Sequence, residues 1–466
     1  MSERVHLIGI GGIGMSGLAQ LLLARGLAVS GSDVQQSEIA AGLAARGVQI
    51  AIGHRAELVE GASRVIISDA IREGNPELAR ARAFGIPVVR RSGLLAELMG
   101  GHRGIAVAGT HGKTTVTAMI GTILVEAGMD PTVVTGGSYE LLGGNARVGN
   151  GDWFVTEACE AYESYLDLTP EIALVTNVEA DHLDHHQTVE HLQASFGEFL
   201  CRIVPSGCAV LCADRAELRE LSARLDREIV TYGTSEEAQV RGTGLATNGL
   251  SGRCRLWING EHVGELRVAV PGTHNLVNAL GAMAAAWRAG ASVEAGLRAL
   301  SHFTGAERRF QVLGSAAGVT VVDDYAHHPS EIAATIAAAR SAFPGRRLLA
   351  VFQPHLYTRT RDFAEGFAET LSSADVVALV RIYPAREAVL PGVTTGLIAE
   401  PLRERWGKGV VSELAKEEVA GRLCAEARPG DVVLVMGAGD VGEAARELVR
   451  RLEAEAGGEQ EVVATR

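Results

Sequence analysis

Short, wholly apolar runs alternate with stretches of helical length along most of the chain. The runs at 5–10, 27–30, 49–52, 65–68 and 86–89 predict buried strands, the first of them followed by a helical pattern to about residue 25. A Gly-Gly-His-Arg stretch at 100–103 reads as a linker. A second series then begins, with strands predicted at 105–108, 153–156, 172–178 and 208–212. Between them lie a helix from Lys113 to near Gly128 and an amphipathic helix over 189–204. Residues 220–270 are polar, glycine-rich and strand-like, and a very apolar helix follows at 276–288. A third series places strands at 319–322, 348–352, 376–382 and 432–436, with a helix to 342 after the first. Beyond Ala456 the Gly-Gly-Glu-Gln tail has no core pattern and is expected to be disordered. Such alternation predicts an α/β chain built on largely parallel sheets, in three domains at 1–100, 101–310 and 311–466.

The polar clusters lie where these strands end, which is where open α/β sheets bind ligands. At the amino terminus Gly9-Ile10-Gly11-Gly12-Ile13-Gly14 follows a strand and opens a helix, with Asp33 about twenty residues on. That is the diphosphate loop of a Rossmann-like domain, in which Gly9 and Gly11 would let the backbone approach a pyrophosphate and Gly14 would allow close helix–strand packing. In the second domain Gly109-Thr110-His111-Gly112-Lys113-Thr114-Thr115 joins a strand to a helix N-terminus. Backbone N–H groups and the helix dipole there favour an anion. Lys113 supplies a compact cation for the β- and γ-phosphates and Thr114 a hydroxyl for Mg2+, as in a P-loop. Val107 stands where the usual motif begins with Gly. Glu157, at a neighbouring strand end, is the candidate Mg2+ acid, with Glu160 its rival one turn on. His182 would ligate a second cation. His182, His185, His186 and His191 are crowded, but their spacing matches no standard zinc pattern. Asn275 and Asn278 share one face of a helix's first turn, able either to read a base edge or to cap the helix. The third domain repeats a Rossmann-like alternation, with Asp323-Asp324-Tyr325-Ala326-His327-His328, Gln353 to Arg361, Tyr383 to Glu387 and Gly437 to Gly442 at its strand ends.

Composition sharpens this picture in three ways. The chain holds only three lysines, Lys113, Lys408 and Lys416, so a sequence that otherwise chooses Arg kept a point charge in the phosphate loop. A net charge of −13 without a basic run argues against a nucleic-acid partner, and no apolar run approaches the ~20 residues of a membrane span. The six cysteines form no C-x-x-C pair, and the first residues lack a signal-peptide pattern, so a cytoplasmic protein is expected. No obligate protein partner is evident.

In order and spacing, GIGGIGMSG, AGTHGKTT, EACE, TNVEADHLD, GTHNLVNA, ERRF, DDYAHHPSEI, FQPHLYTRTRDF and GAGDVG resemble the ATP-dependent Mur ligases of bacterial peptidoglycan synthesis over nearly the whole chain. The likeness is strongest to the alanine-adding branch. It implies three domains, for a UDP-sugar, ATP and an amino acid, and the substrates UDP-N-acetylmuramate, ATP and L-alanine with two Mg2+ ions. It also implies that Gly11, Gly12, Ile13 and Ser16 meet the UDP diphosphate, that Glu157 and His182 bind the metal pair, and that Asn275 and Asn278 face adenine. Arg309 and Asp324 would reach ATP, while Tyr325, His327 and Arg359 would serve the amino acid and the acyl group. Two positions depart from the pattern: Leu356 stands where relatives often carry Arg, and Cys159 replaces a common Asp. No Lys occurs in 185–200, where relatives that add later peptide residues carry a carbamylated one.

The expected chemistry phosphorylates the lactyl carboxylate, and the amine of alanine then attacks the acyl phosphate. Domain closure would belong to such a cycle. A ligase that recycles intact tripeptide is the near alternative. A nicotinamide dehydrogenase would leave Lys113 and Thr114 unused, and a simple P-loop ATPase would leave the amino-terminal diphosphate loop unused.

Overall fold

The computed structural model describes residues 3–464 apart from 182, 386 and 408. The chain divides into two compact units, one of residues 1–244, 254–266 and 277–303, the other of 245–253, 267–276 and 304–466.

The first unit opens with β1 (Arg4–Ile8), β2 (Ala28–Asp33), β3 (Gln49–Ile52), β4 (Arg64–Ile67) and β5 (Val88–Arg90). They form a parallel sheet in the order β3-β2-β1-β4-β5. The order reverses at β1, so the glycine loop that follows β1 opens at the topological switch point. β2 runs on to Asp33, past the predicted end at residue 30, because Gly31, Ser32 and Asp33 pair with β3 although they are small or polar.

A second sheet has ten strands. They are β6 (Arg103–Ala108), β7 (Thr132–Tyr139), β8 (Gly144–Arg147), β9 (Trp153–Glu157), β10 (Ile172–Val175), β11 (Cys208–Cys212), β12 (Glu228–Gly233), β13 (Val240–Asn248), β14 (Ser251–Ile258) and β15 (Glu261–Val268). Their order is β15-β14-β13-β12-β11-β10-β6-β9-β7-β8. β6 is central, paired in parallel with β9 and β10. The helix Lys113–Glu126 leaves it and is buried without interruption from Thr114 to Leu124. At Gly121 a Cβ would stand 3.1 Å from both methyls of Val133, so the helix lies close against β7. The β7–β8 hairpin was not legible in the sequence, since β8 reads Gly-Asn-Ala-Arg and forms the sheet edge.

The second unit carries β16 (Gln311–Ala316), β17 (Val319–Asp324), β18 (Leu348–Phe352), β19 (Val376–Val380), β20 (Val410–Leu414) and β21 (Val432–Met436). Their order is β16-β17-β21-β18-β19-β20, parallel except for the edge strand β16. The core lies on both faces of β17, β18 and β21, each buried along its whole length. The last helix spans Gly442–Ala464 and packs its described part against the sheet.

Candidate active site

In the first unit the phosphate loop leaves β6 through Gly109, whose φ of 129° is closed to other residues. A Cβ there would also run into Thr176 Oγ1. Gly112, at φ 86°, is the N-cap of the helix Lys113–Glu126, so no side chain covers the helix's first N–H groups from that position. The loop is braced from the segment after β10. The N–H of Thr110 donates to the Asn177 carbonyl (3.0 Å) and that of His111 to Asn177 Oδ1 (3.0 Å). Thr176 Oγ1 donates to the His111 carbonyl (2.6 Å) and the Glu179 N–H to Thr110 Oγ1 (2.8 Å). Thr176 and Asn177 thus hold the cradle, a role their sequence positions did not announce.

Lys113 Nζ donates to the carbonyls of Gly109 and Thr110 and meets both oxygens of Glu160, at 2.9 and 2.8 Å. Burial pulls the ammonium's pKa down, but Glu160, joined by the neighbouring Cys159 and Glu157, outweighs it and holds Lys113 above the ordinary lysine value. Glu160 is buried and serves as the lysine's counter-ion. Glu157 ends β9 beside Val107 of β6, and its carboxylate accepts the N–H of Gly136. Thr114 and Thr115 lie buried in the helix's first turn. Between the two acids, burial and the Glu160 charge push the Cys159 thiol up to about 11, so it rests as a neutral thiol at neutral pH. His182 lies outside the described residues. A Cβ on Gly112 would stand 2.9 Å from Asn278 Oδ1, which places Asn278 beside the cradle.

At the amino-terminal loop the Gly11 N–H donates to Asp33 Oδ2 (2.9 Å), so Asp33 shapes the loop itself. Gly12 is the N-cap of the helix Ile13–Ala24, again without a side chain over it. Ser16 is fully buried; its hydroxyl donates to the Ile13 carbonyl (2.9 Å) and accepts from Asn145 Nδ2 (2.9 Å). Ser16 therefore stands behind the loop. Asn145 Nδ2 donates as well to the Ile13 carbonyl (2.6 Å), so the β7–β8 hairpin fixes the first helical turn. Arg91 stretches across Gly14, its Cδ 3.3 Å from where a Cβ would stand, and brings a cation to the same helix start. Neither Asn145 nor Arg91 belongs to a motif, and no local signal marks them.

In the second unit Asp324 ends β17 and accepts the N–H groups of Phe310 and Ala326, both at 2.7 Å. Burial pushes its carboxyl up to about 6 against the charge of Arg309. The guanidinium carbons of Arg308 and Arg309 lie 5.0 and 5.1 Å from the centre of the Tyr325 ring. Arg308 is tied to the carbonyls of Gly439 (3.0 Å) and Gly437 (2.6 Å), while Arg309 lies 3.8 Å from Glu331. His327 Nδ1 is 3.0 Å from the Tyr325 carbonyl and 3.2 Å from Glu331, an arrangement that puts the proton on Nδ1 and makes Nε2 the basic nitrogen. Arg359 is buried in the helix Tyr357–Asp362, whose first N–H groups donate to Glu387. Leu356, at φ 71°, precedes that helix. The Asn275 amide donates to the Pro271 carbonyl (2.7 Å).

The chain has known relatives over its whole length. The profile described as "Mur ligase family, catalytic domain" matches residues 4–103, "Mur ligase middle domain" 107–286 and "Mur ligase, glutamate ligase domain" 308–439. A UDP-N-acetylmuramate–L-alanine ligase of Sorangium cellulosum is 46% identical, with 97% of each chain aligned. One from an Anaeromyxobacter species is 44% identical over 97% of this chain and 98% of the other. The crystal structure of a UDP-N-acetylmuramate–alanine ligase from Thermotoga maritima superposes with a TM-score of 0.84, at 29% identity over 97% of this chain and 99% of that one. With three family profiles laid end to end over a three-domain α/β fold, the chain belongs to the Mur ligase family.

Proposed function

We propose that this ligase joins L-alanine to the lactyl carboxylate of UDP-N-acetylmuramate, driven by ATP, in the making of peptidoglycan precursors. The end-to-end likeness to alanine ligases carries the reading, and the Lys113–Glu160 cradle is the geometry that supports it. The use of ATP and a UDP-sugar assigns the reaction to the bacterial cytoplasm; no helix among the described residues is long and apolar enough to cross a membrane.

The amino-terminal loop takes the UDP diphosphate at Gly11, Gly12 and Ile13, with Asp33 and Ser16 shaping the turn. The Gly109–Thr115 cradle takes the ATP phosphates. Lys113 neutralises the β/γ bridge, Asn275 and Asn278 are assigned to adenine, and Arg309 and Asp324 to ATP. The Thr114 hydroxyl and the Glu157 carboxylate are hard oxygen donors beside the cradle, which suits Mg2+, and His182 would join them. When bound, the ion neutralises phosphate charge.

A lactyl carboxylate oxygen displaces ADP from the γ-phosphorus, giving an acyl phosphate. The neutral amine of alanine then attacks the acyl carbon, its surplus proton passes to a base, and inorganic phosphate leaves. Lys113 acts by holding charge in place through both steps rather than by covalent chemistry. His327, with Nε2 basic and Nδ1 anchored, is the proton acceptor, while Arg359 and Tyr325 position the carboxylates.

The test is ADP release with UDP-N-acetylmuramate and, separately, L-alanine, glycine, L-serine or tripeptide. Release that requires both the UDP-sugar and L-alanine supports the reading. Preference for tripeptide would instead identify the recycling reaction, and release without either substrate a simple ATPase. Glycine and serine differ from alanine by one small group, worth only about 1–3 kcal/mol in a pocket, so partial turnover of both is expected.

A further inference from the structure

Behind the Lys113–Glu160 pair lies a second cluster that the ligase reaction does not use. Glu163, His185 and His186 each offer one ligand atom, and the three atoms lie within 4.8 Å of one another. His186 is fully buried. Its Nε2–H donates to the Glu160 carbonyl at 3.2 Å, which fixes the tautomer and leaves Nδ1 as the lone-pair nitrogen. That buried Nδ1 has no hydrogen-bond partner. An orphaned nitrogen in a protein interior costs free energy unless something is bound to it. The second and third ligands are placed by the same local turn. The chain passes through two left-handed residues, Tyr162 (φ 53°) and Glu163 (φ 55°), and the Glu163 N–H donates to the Glu160 carbonyl at 3.0 Å. One carbonyl oxygen therefore sets both Glu163 and His186. His185 Nε2 stands 3.9 Å from Glu163 Oε2.

We propose that Glu163, His185 and His186 form a site for a divalent transition-metal ion, with Zn2+ the best match to the donors. Two imidazoles and one carboxylate leave a fourth position for water, the donor set of an open zinc site, whereas Mg2+ prefers an all-oxygen shell. The site is made of residues other than those assigned to Mg2+. It is one hydrogen bond from Glu160, the counter-ion of Lys113, so an ion bound here stiffens the turn that carries that acid.

The experiment strips the full-length protein with a chelator and titrates Zn2+ against a chromogenic competitor in excess Mg2+, which fills oxygen sites. Co2+ is added in parallel to record the visible bands of a four-coordinate nitrogen–oxygen site. One equivalent of Zn2+ with a four-coordinate Co2+ spectrum is expected. Glu163→Gln and His185→Asn, both at partly exposed positions, should each weaken binding at least about tenfold. His186→Gln should abolish the Co2+ bands, and thermal melting of the metal-free variants shows whether each is folded. Zn2+ should raise the melting temperature of the unaltered protein and not that of the variants. No Zn2+ retained in excess Mg2+, or equal affinity in Glu163→Gln and His185→Asn, would overturn the site.

Discussion

Lys113 and Glu160 show how a single pair can set the character of a site. A lysine in a dry loop would tend to lose its proton, and the carboxylate at 2.8 Å keeps it charged. Glu160→Gln removes that support and leaves a buried cation without a counter-ion. The expected outcome is a fall in kcat of about 10²–10³-fold with the protein still folded, measured as ADP release at saturating substrates. Glu157→Gln leaves the pair intact and should instead raise the Mg2+ concentration needed for half-maximal rate. Asp324 makes a prediction in pH. Its folded pKa, about 6, lies above the ordinary 3.8, so the folded state binds the extra proton between those values. Its contribution to stability is present below pH 3.8 and is lost as pH rises through about 6. Asp324→Asn should cancel that loss, seen as a flatter dependence of unfolding free energy on pH across this window in denaturant titrations.

At the scale of elements, the two loops that the sequence exposes most clearly depend on partners it hides. The Asn145 amide on β8 holds the Ile13 carbonyl and Ser16 across more than a hundred residues of chain. Asn145→Ala leaves buried acceptors unpaired, a change of about 1–3 kcal/mol. It should appear as a raised KM for the UDP-sugar with kcat little altered, because the phosphate cradle is untouched. Gly121→Ala pushes a methyl onto Val133 and should lower stability by about 1–3 kcal/mol. The glycine loops, Lys113 and the strand-end acids were legible because their signals are local: a turn, a helix start, a charge at fixed spacing. The partnership of Lys113 with Glu160 was not, since the turn at Tyr162 and Glu163 is left-handed without Gly or Asn to mark it. Asn145, Arg91, Thr176 and Asn177 act through contacts distant in sequence, and β8 and β16 are edge strands whose patterns are too weak to stand out.

For the whole molecule, three open sheets each end in polar clusters on their carboxyl side, as in a protein that handles several anionic ligands. The net charge of −13 repels those ligands at long range, so binding must come from local devices: bare helix starts, one lysine and a few arginines. Fold class and family were readable because motif order survives where single positions drift, as Leu356 and Cys159 do. The central claim is that Lys113 carries the phosphoryl charge while a separate loop holds the UDP-sugar. It is tested most directly by Lys113→Ala, with amide product and UDP-sugar binding measured on the same preparation. Amide formation reduced by at least about 10²-fold, with UDP-N-acetylmuramate affinity unchanged, is the predicted result. Product formed at the unaltered rate would contradict it.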